Sequence, residues 1–293
     1  MNDVACNLCG QSSPLGECEQ ASVRSNVRKF RDEKFALWRC PRCRCIHARD
    51  EVDLAHYYAG YPSFPSAVEP RLRAAYENLL RRLIAAGLRE EHRILDFGCG
   101  SGALVRFLRG RGYAQARGYD AYASEFTDPA ALDARYDCVI SQDVIEHVAS
   151  PRALLQQFDR LVVPGGLIAI GTPDADAIDL RVADDYVHTL HAPYHRHILT
   201  HDALREQAQA VGWSVVRYYD TMYGNTPIPG ENPRFGLHYL RCHDDCLDLL
   251  TEPVRFDSWR MYTPLTAFYM FFGYFFDRHT DVMFTFRSAA KRS

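Results

Sequence analysis

An apolar strand that runs into a glycine-rich turn and then opens a helix leaves a chain few folds to choose from. Ile94-Leu95-Asp96-Phe97-Gly98-Cys99-Gly100-Ser101-Gly102, followed by a helical pattern over Ala103 to Gly110, is such a passage. Glycines there let backbone N–H groups approach a ligand closely, and the helix start favours an anionic group. Around the loop, short β-rich runs alternate with helical ones. Arg93 to Phe97, the residues ending at Gly118-Tyr119-Asp120, Tyr136 to Ser141, Gly166 to Gly171, Trp213 to Tyr219 and Asp281 to Phe286 read as strands. Pro151 to Leu161 and Thr200 to Val211 read as helices. That alternation predicts an α/β fold with a mostly parallel sheet covered on both faces. The loop alone leaves its ligand open: with Ala103 after Gly102 and Asp120 about 20 residues on, it also satisfies a dinucleotide fingerprint and so a nicotinamide enzyme.

With 47% hydrophobic and 24% charged residues and a formal net charge of -3 over 293 residues, the chain has ordinary globular composition, which excludes disordered and fibrous classes. No apolar run approaches the roughly 20 residues that span a bilayer, so no transmembrane segment is expected. The start, Met1-Asn2-Asp3-Val4-Ala5, lacks the basic and apolar regions of a secretory signal, which predicts a cytoplasmic protein. Ten cysteines are many for a reducing compartment, and their spacing is therefore tested first for metal binding.

Cys6-x-x-Cys9 and Cys40-x-x-Cys43 are a doubled knuckle. Each knuckle turns the chain tightly enough to aim two thiolates at one ion, and two complete a tetrahedral, closed zinc site. Gly10 and Pro41 suit such turns, while Cys18 and Cys45 are spare thiols that could compete as ligands. The bland alternative is a set of unligated surface cysteines. A structural Zn2+ here would hold up a small ribbon, residues 1–50, that has little core of its own. Residues 51–92 read as a connector whose helix, Glu69 to Gly87, sets Leu72, Tyr76, Leu79, Leu80, Leu83 and Ile84 on one face. Residues 93–293 form the remaining domain, enlarged at 221–279 by an insertion where a short connection would suffice.

The loop and its surroundings resemble the class I S-adenosylmethionine-dependent methyltransferases. Asp96, Gly98, Gly100 and Gly102 match the family's first motif, Asp120 the acid that ends its second strand, Tyr136 to Val148 its fourth strand and the segment just after it, and Leu161 to Leu167 its Pro-Gly-Gly turn. The resemblance implies a Rossmann-like sheet of seven strands and S-adenosyl-L-methionine as cofactor, held by Asp96, Phe97, Gly98, Cys99, Gly100, Gly102, Asp120, Ala121, Gln142 and Asp143. Bacterial members of glycan, sugar and small-molecule pathways begin with a similar module, matched by Cys6 to Gly10, Arg39 to Cys43 and the tyrosines of 56–61. Two departures stand out. Arg44-Cys45 replaces the glycine that commonly follows the last ligand, and the sixteen residues Ala121 to Tyr136 leave little room for the third strand, so Ser124, Glu125 and Asp128 are weak candidates for its adenine-contacting acid.

Methyl transfer from a sulfonium is an in-line displacement that depends mostly on positioning, with a base needed only where the acceptor must lose a proton. Asp143, Glu146 and His147, at i, i+3 and i+4, would share one face if helical, and are catalytic candidates. The ubiquinone-pathway and small-RNA terminal O-methyltransferases share a related acidic-x-x-Glu-His motif, which brings in a divalent active-site metal; a polar loop contacting solvent or cofactor is the plain alternative. Related methyltransferases often have a histidine five residues before a threonine placed like Thr200, an expected N-cap, so the resemblance makes His195 a further catalytic candidate among His188, His191, His197 and His201.

The resulting expectation is a methyltransferase acting on an O, N or C atom of a small molecule: a sugar, lipid-linked or natural-product intermediate. The rival is an RNA methyltransferase, motivated by Arg24, Arg28, Lys29, Arg31, Lys34, Arg39, Arg42, Arg44 and Arg49 against only Asp32 and Glu33. A silent scaffold that kept the fold is the alternative from another class, and a homo-oligomer is open. The aromatic run Pro264 to Phe276 reads as a substrate lid, a surface for lipid or another subunit, or a buried helix. His238, Cys242 and Cys246 recur at four-residue steps, a metal clamp or a buried helix face.

Overall fold

The computed structural model describes residues 3–62, 70–255 and 257–290. In chain order its elements are β1 (Asp3–Ala5), β2 (Ser12–Pro14), β3 (Glu19–Arg24), β4 (Lys34–Arg39), β5 (Ile46–Ala48), α1 (Leu54–Tyr58), α2 (Pro70–Ala85), β6 (Ile94–Phe97), α3 (Ala103–Gly110), β7 (Ala116–Tyr119), β8 (Tyr136–Gln142), α4 (Pro151–Leu161), β9 (Val162–Pro173), α5 (Val187–Leu190), β10 (His197–Ile198), α6 (His201–Ala210), β11 (Ser214–Tyr219), α7 (Pro233–Cys242), α8 (Pro264–Phe272) and β12 (Asp281–Arg287). They gather into two compact units. One comprises Met1–Phe64, Pro173–Ala203 and Asn225–Thr280, the other Pro65–Thr172, Leu204–Gly224 and Asp281–Ser293. These units cut across a linear partition at 1–50, 51–92 and 93–293.

The second unit holds a six-stranded sheet in the order β11-β12-β9-β8-β6-β7. β6 runs parallel to β7 and β8, β8 runs parallel to β9, and β11 is antiparallel to β12. β6 is buried along its whole length, as expected of a strand covered on both faces. Leu79, Leu80 and Leu83 of α2 join Leu104 and Leu108 of α3, Ile94, Ile140 and Met283 in one core, whereas Ile84 faces solvent, against the helical pattern. The predicted first residue of that helix, Glu69, lies outside the described residues. Register aligns Phe97 with Tyr119 and Gln142 with Gly171, so Gly98, Asp120 and Asp143 leave the sheet at its carboxyl edge, level with Thr172 of β9.

The described sheet has six strands rather than seven. Ala121 to Tyr136 make one 3-10 turn, Pro129–Leu132, and Asp128 is spent on its N-cap by accepting from the Ala130 amide. Ser124 and Glu125 are exposed on the loop before it. The short passage has no length left for an edge strand of about five residues with two connections.

The first unit is built on the antiparallel sheet β10-β5-β4-β3 with the hairpin β1-β2. Three of those four strands come from the cysteine-rich segment and the last from residues 197–198. The apolar face of the ribbon, Val23, Phe35, Leu37 and Ile46, is covered by Ile178, Leu180, Val187 and Leu190. A ribbon this small cannot supply its own core, and the segment after β9 completes it. Arg39 fixes the junction: its buried guanidinium donates to Glu19 Oε2 (2.7 Å) and to the carbonyls of Arg44 (3.0 Å), Ala175 (2.9 Å) and Ile178 (2.6 Å). Within the insertion, α7 and α8 pack through Phe235, Tyr239, Leu240, Tyr269 and Met270.

Candidate active site at the carboxyl edge of the parallel sheet

The glycine loop takes its shape from three left-handed residues, Gly98 (φ 80°), Gly100 (φ 51°) and Gly102 (φ 75°). Close neighbours restrict two of them further. A Cβ on Gly98 would meet Val144 at 2.3 Å, and one on Gly102 would meet the Phe126 ring at 2.3 Å. Backbone conformation and space both select glycine at these two points. The amides of Gly98 and Cys99 donate to the Tyr119 carbonyl (2.7 and 3.2 Å), which docks the loop onto the end of β7.

Asp120 closes the loop. Its Oδ2 accepts from the Gly100 amide (2.9 Å), and its Oδ1 accepts from the amides of Tyr122 (2.7 Å) and Ala123 (3.0 Å). A carboxylate has about four acceptor positions, so Oδ2 keeps capacity for one more donor. Ala121 and Phe97 flank this contact, at the exposed end of the turn and the buried end of β6. Asp96 is buried one residue before the loop, and burial, reinforced by the Asp120 carboxylate, pushes its carboxyl up to about 7.

On β8, Gln142 lays its Oε1 against Gly171, where a Cβ would stand 2.0 Å away, and its Nε2 is buried with no hydrogen-bond partner among the described residues. A buried donor of that kind calls for an acceptor from a ligand. The next residues correct the helical expectation. Asp143 has φ 54° and donates its amide to the Gly171 carbonyl at 3.0 Å, and residues 143–149 form bends and a turn, with no helix before Ser150 caps α4. A residue at positive φ, with its amide drawn to a neighbouring strand, cannot start an α-helix. The turn still brings a Glu146 carboxylate oxygen and a His147 ring nitrogen within 4.8 Å of each other.

Glu146 is fully buried and accepts from Thr172 Oγ1 at 3.0 Å. Burial first, then the Asp143 and Asp281 carboxylates, hold it well above the usual carboxylate range. Asp143 is also shifted up, by crowding among its neighbours and by Asp281, although its side chain still faces solvent, which tempers the first cause. Three residues that the sequence does not assign to the site complete this edge: Tyr76, Tyr223 and Asp281. The two tyrosine rings stack at 6.5 Å, and the electrostatic influence of Asp96 and Asp143 on both hydroxyls places them beside the loop. Only the fold joins α2, the turn after β11 and the start of β12, so no local sequence signal marks them.

His195 belongs to the other unit. Its Nδ1 donates to the Thr189 carbonyl at 2.9 Å, which leaves the lone pair on Nε2. Thr200 caps α6 as expected, with its Oγ1 accepting from the Ala203 amide. His191 and His188 are joined through Asn26, and His188 meets Asp245, while His201 is clasped by Asp174. Both oxygens of Asp174 are occupied, by the amides of Asp176 and His201 and by the His201 ring, which makes it a structural tie.

The same unit carries the cysteine centre. The Sγ atoms of Cys6, Cys9, Cys40 and Cys43 all lie within 4.8 Å of one another, with Cys6 and Cys43 at 3.5 Å and Cys9 and Cys40 at 3.6 Å. A tetrahedral ion with Zn–S bonds near 2.3 Å has edges of about 3.8 Å, so the thiols fit zinc. The knuckles are built alike. Gly10 N donates to Cys6 O and Arg44 N to Cys40 O, while Cys6 N donates to Gln11 O and Cys40 N to Cys45 O. Positions 10 and 44 both have positive φ, 74° and 59°, so Arg44 adopts the conformation that glycine takes elsewhere. Cys18 and Cys45 stand outside the group, and so do His238, Cys242 and Cys246, whose Cys242 is buried in the α7 core. His47, which the spacing did not suggest, approaches Cys6 Sγ with Nε2 at 3.3 Å.

Comparison with known proteins decides the family. The profile of the methyltransferase domain family matches residues 69–218, just over half of the chain. The chain belongs to this methyltransferase family. With its glycine loop, parallel sheet and Asp120 it is a class I S-adenosylmethionine-dependent member. It is 31% identical over 103 residues to the ubiquinone biosynthesis O-methyltransferase of Parvibaculum lavamentivorans, covering 28% of this chain and 41% of that protein. It is 34% identical over 102 residues to the enzyme of the same name from Maricaulis maris, covering 27% and 40%. The chain thus matches less than half the length of these relatives. Among solved structures, an S-adenosylmethionine dependent methyltransferase from Mesorhizobium loti aligns with 15% identity and a TM-score of 0.42, covering 73% of this chain and 98% of that one.

Proposed function

We propose that this methyltransferase domain moves the methyl group of S-adenosyl-L-methionine to a hydroxyl oxygen of a small molecule, with a structural zinc in its cysteine centre. The observation that carries the cofactor assignment is the loop closed by Asp120, beside the buried, unsatisfied Nε2 of Gln142. Bound there, the cofactor supplies a sulfonium methyl group that is transferred by in-line displacement.

The chain's own residues do the rest. Asp120 Oδ2 would accept from a ribose hydroxyl, and Gln142 Nε2 would donate to a polar group of the ligand. An acceptor hydroxyl would have to give up its proton to a base of this chain as it takes the methyl group. Glu146 is fully buried and engaged by Thr172 Oγ1, which suits a supporting group better than the base. His147, on the same unit as the loop, is the base we assign, with His195 as the second candidate on its motif offset and fixed tautomer.

Oxygen as acceptor follows the relatives, which are named O-methyltransferases. The charge distribution supports a small acceptor over RNA. Four of the arginines that motivate nucleic-acid binding are met by the chain's own acids, Arg24 by Asp245, Arg28 by Glu252, Arg44 by Asp176 and Arg49 by Asp50, and Arg39 is buried. A paired arginine has little left to release counterions from a phosphate backbone.

The test is calorimetric titration with S-adenosylmethionine and S-adenosylhomocysteine, then transfer of labelled methyl to a panel of phenols, catechols, sugars and structured RNA. Binding of both nucleosides and label on a hydroxyl is expected. No heat with either would overturn the enzyme assignment, and label on RNA alone would overturn the acceptor.

A further inference from the structure

The insertion presents a face that the fold leaves bare. Within α8 and the turn after it, Phe268, Phe271, Phe272 and Phe275 stand exposed, and Trp259 and Tyr262 just before are exposed by 77% and 74%. The opposite side of the same helix is spoken for: Tyr269 and Met270 pack on the α7 core, and Thr266 is buried against His238. The exposed rings are contiguous, with Phe268 lying 5.7 Å from Phe272 and 5.2 Å from Phe276.

We propose that this face is where a second copy of the chain docks, α8 against its mate about a two-fold axis. Area is the first argument. At about 200 Å² for a whole aromatic side chain, the four phenylalanines with Trp259 and Tyr262 leave roughly 700 Å² of ring surface in water. That exceeds the 300–600 Å² or so of the largest patch on an ordinary monomer and comes close to the ~800 Å² each partner gives a stable pair.

Composition is the second. From Ser258 to Phe276 the only charged residue is Arg260. Aromatics, methionine and arginine with no lysine, aspartate or glutamate is the make-up of an interface core between proteins. A lipid-docking helix instead sets its apolar face beside several lysines or arginines that seek anionic headgroups, and this stretch lacks them. In sequence, the face is flanked by ion pairs, Arg255–Glu252 and His243–Asp257, of the polar kind that forms a rim. No described helix is long and apolar enough to cross a membrane. Self-contact through a single helix is isologous, so it closes at two copies and leaves no open face for further growth.

Sedimentation velocity of the full chain at micromolar concentration tests this. The expected mass is twice the 33.5 kDa of the chain. The double variant Phe271→Asp, Phe275→Asp changes two exposed positions that belong to a different unit from the glycine loop, and is expected to sediment as a single chain while binding S-adenosylhomocysteine unchanged. A wild-type protein that sediments as one chain throughout would overturn the proposal, as would a double variant that stays paired. Co-sedimentation with vesicles of phosphatidylglycerol and phosphatidylcholine is the remaining arm. A single-chain wild type that pellets with them would assign the face to lipid and overturn self-association.

Discussion

Asp120 Oδ2 accepts the Gly100 amide at 2.9 Å, so the acid that ends β7 is also the clamp that sets the glycine loop on β6. Ligand and loop then depend on one carboxylate. Asp120→Ala removes a charge-assisted bond to the loop, two to the adjoining turn and the ribose acceptor together, each worth about 1.5–3 kcal/mol. Water and loop relaxation recover part of that, and S-adenosylhomocysteine affinity is expected to fall about 100-fold by calorimetry. Asp120→Asn, which keeps one acceptor oxygen, should fall between.

How far the sequence discloses this site depends on whether the partners are near in the chain. The Gly98 to Gly102 loop, Asp120 and the ends of α3 and α4 are written in local chemistry, because glycine, proline and cap residues act over a few positions. The helix expected over Asp143 to His147 is absent for a tertiary reason: the Gly171 carbonyl on a neighbouring strand takes the Asp143 amide. Tyr76, Tyr223 and Asp281 come from three distant segments, and the helical period that places Tyr76 on α2 gives no sign of its partners. The cysteine pairs are legible as knuckles, whereas the core that supports them, Ile178 to Leu190, sits more than a hundred residues later.

Arg39 shows what that long-range support is worth. Its donors satisfy the buried carbonyls of Ala175 and Ile178 as well as Arg44. Arg39→Met keeps the volume and strips those donors, a loss of about 3–5 kcal/mol by analogy with breaking a buried charged pair. Thermal unfolding is expected about 10 °C lower, with the effect largest in probes of the ribbon such as the buried Trp38. An unchanged midpoint would mean that water replaces the guanidinium.

Metal content gives an independent check on the cysteine centre. Purified protein should carry one zinc per chain by elemental analysis. Cys40→Ser should lose it, because three thiolates and a hydroxyl do not make the closed four-sulfur site. Since binding energy at such a site is folding energy, the variant should unfold at least about 10 °C lower. Cys18→Ser and Cys45→Ser, outside the cluster, should keep full zinc.

Asp96 gives stability a pH dependence of definite sign. Its carboxyl titrates near 7 when folded, against the ordinary aspartate value of 3.8 when unfolded. Between those values the native state holds a proton that the unfolded chain has lost, so the contribution is fully present below about pH 4 and is lost as pH rises to about 7, at about 1.4 kcal/mol per unit. Glu146, also raised, adds in the same direction. Asp96→Asn should flatten the curve of unfolding free energy against pH from 4.5 to 7 and leave the variant more stable than wild type at pH 8. A parallel pair of curves would show that Asp96 ionises normally.

The upward shift of Glu146 allows a test that separates two roles a motif alone runs together. A protonated carboxyl donates a hydrogen bond as an amide does, so in that state Glu146→Gln is close to isosteric in shape and in bonding. With a hydroxyl acceptor, turnover should stay within about fivefold of wild type, and the acid limb of the pH profile should not move. His147→Asn keeps the bulk but removes the titrating nitrogen, and kcat should drop about 100- to 1,000-fold with cofactor affinity unchanged, the usual span for a lost general base. The log of kcat/KM against pH should then lose its rising limb through the histidine range. If His195→Asn shows that loss and His147→Asn does not, the base is His195. If Glu146→Gln is the variant that collapses, the carboxyl is ionised in the working enzyme.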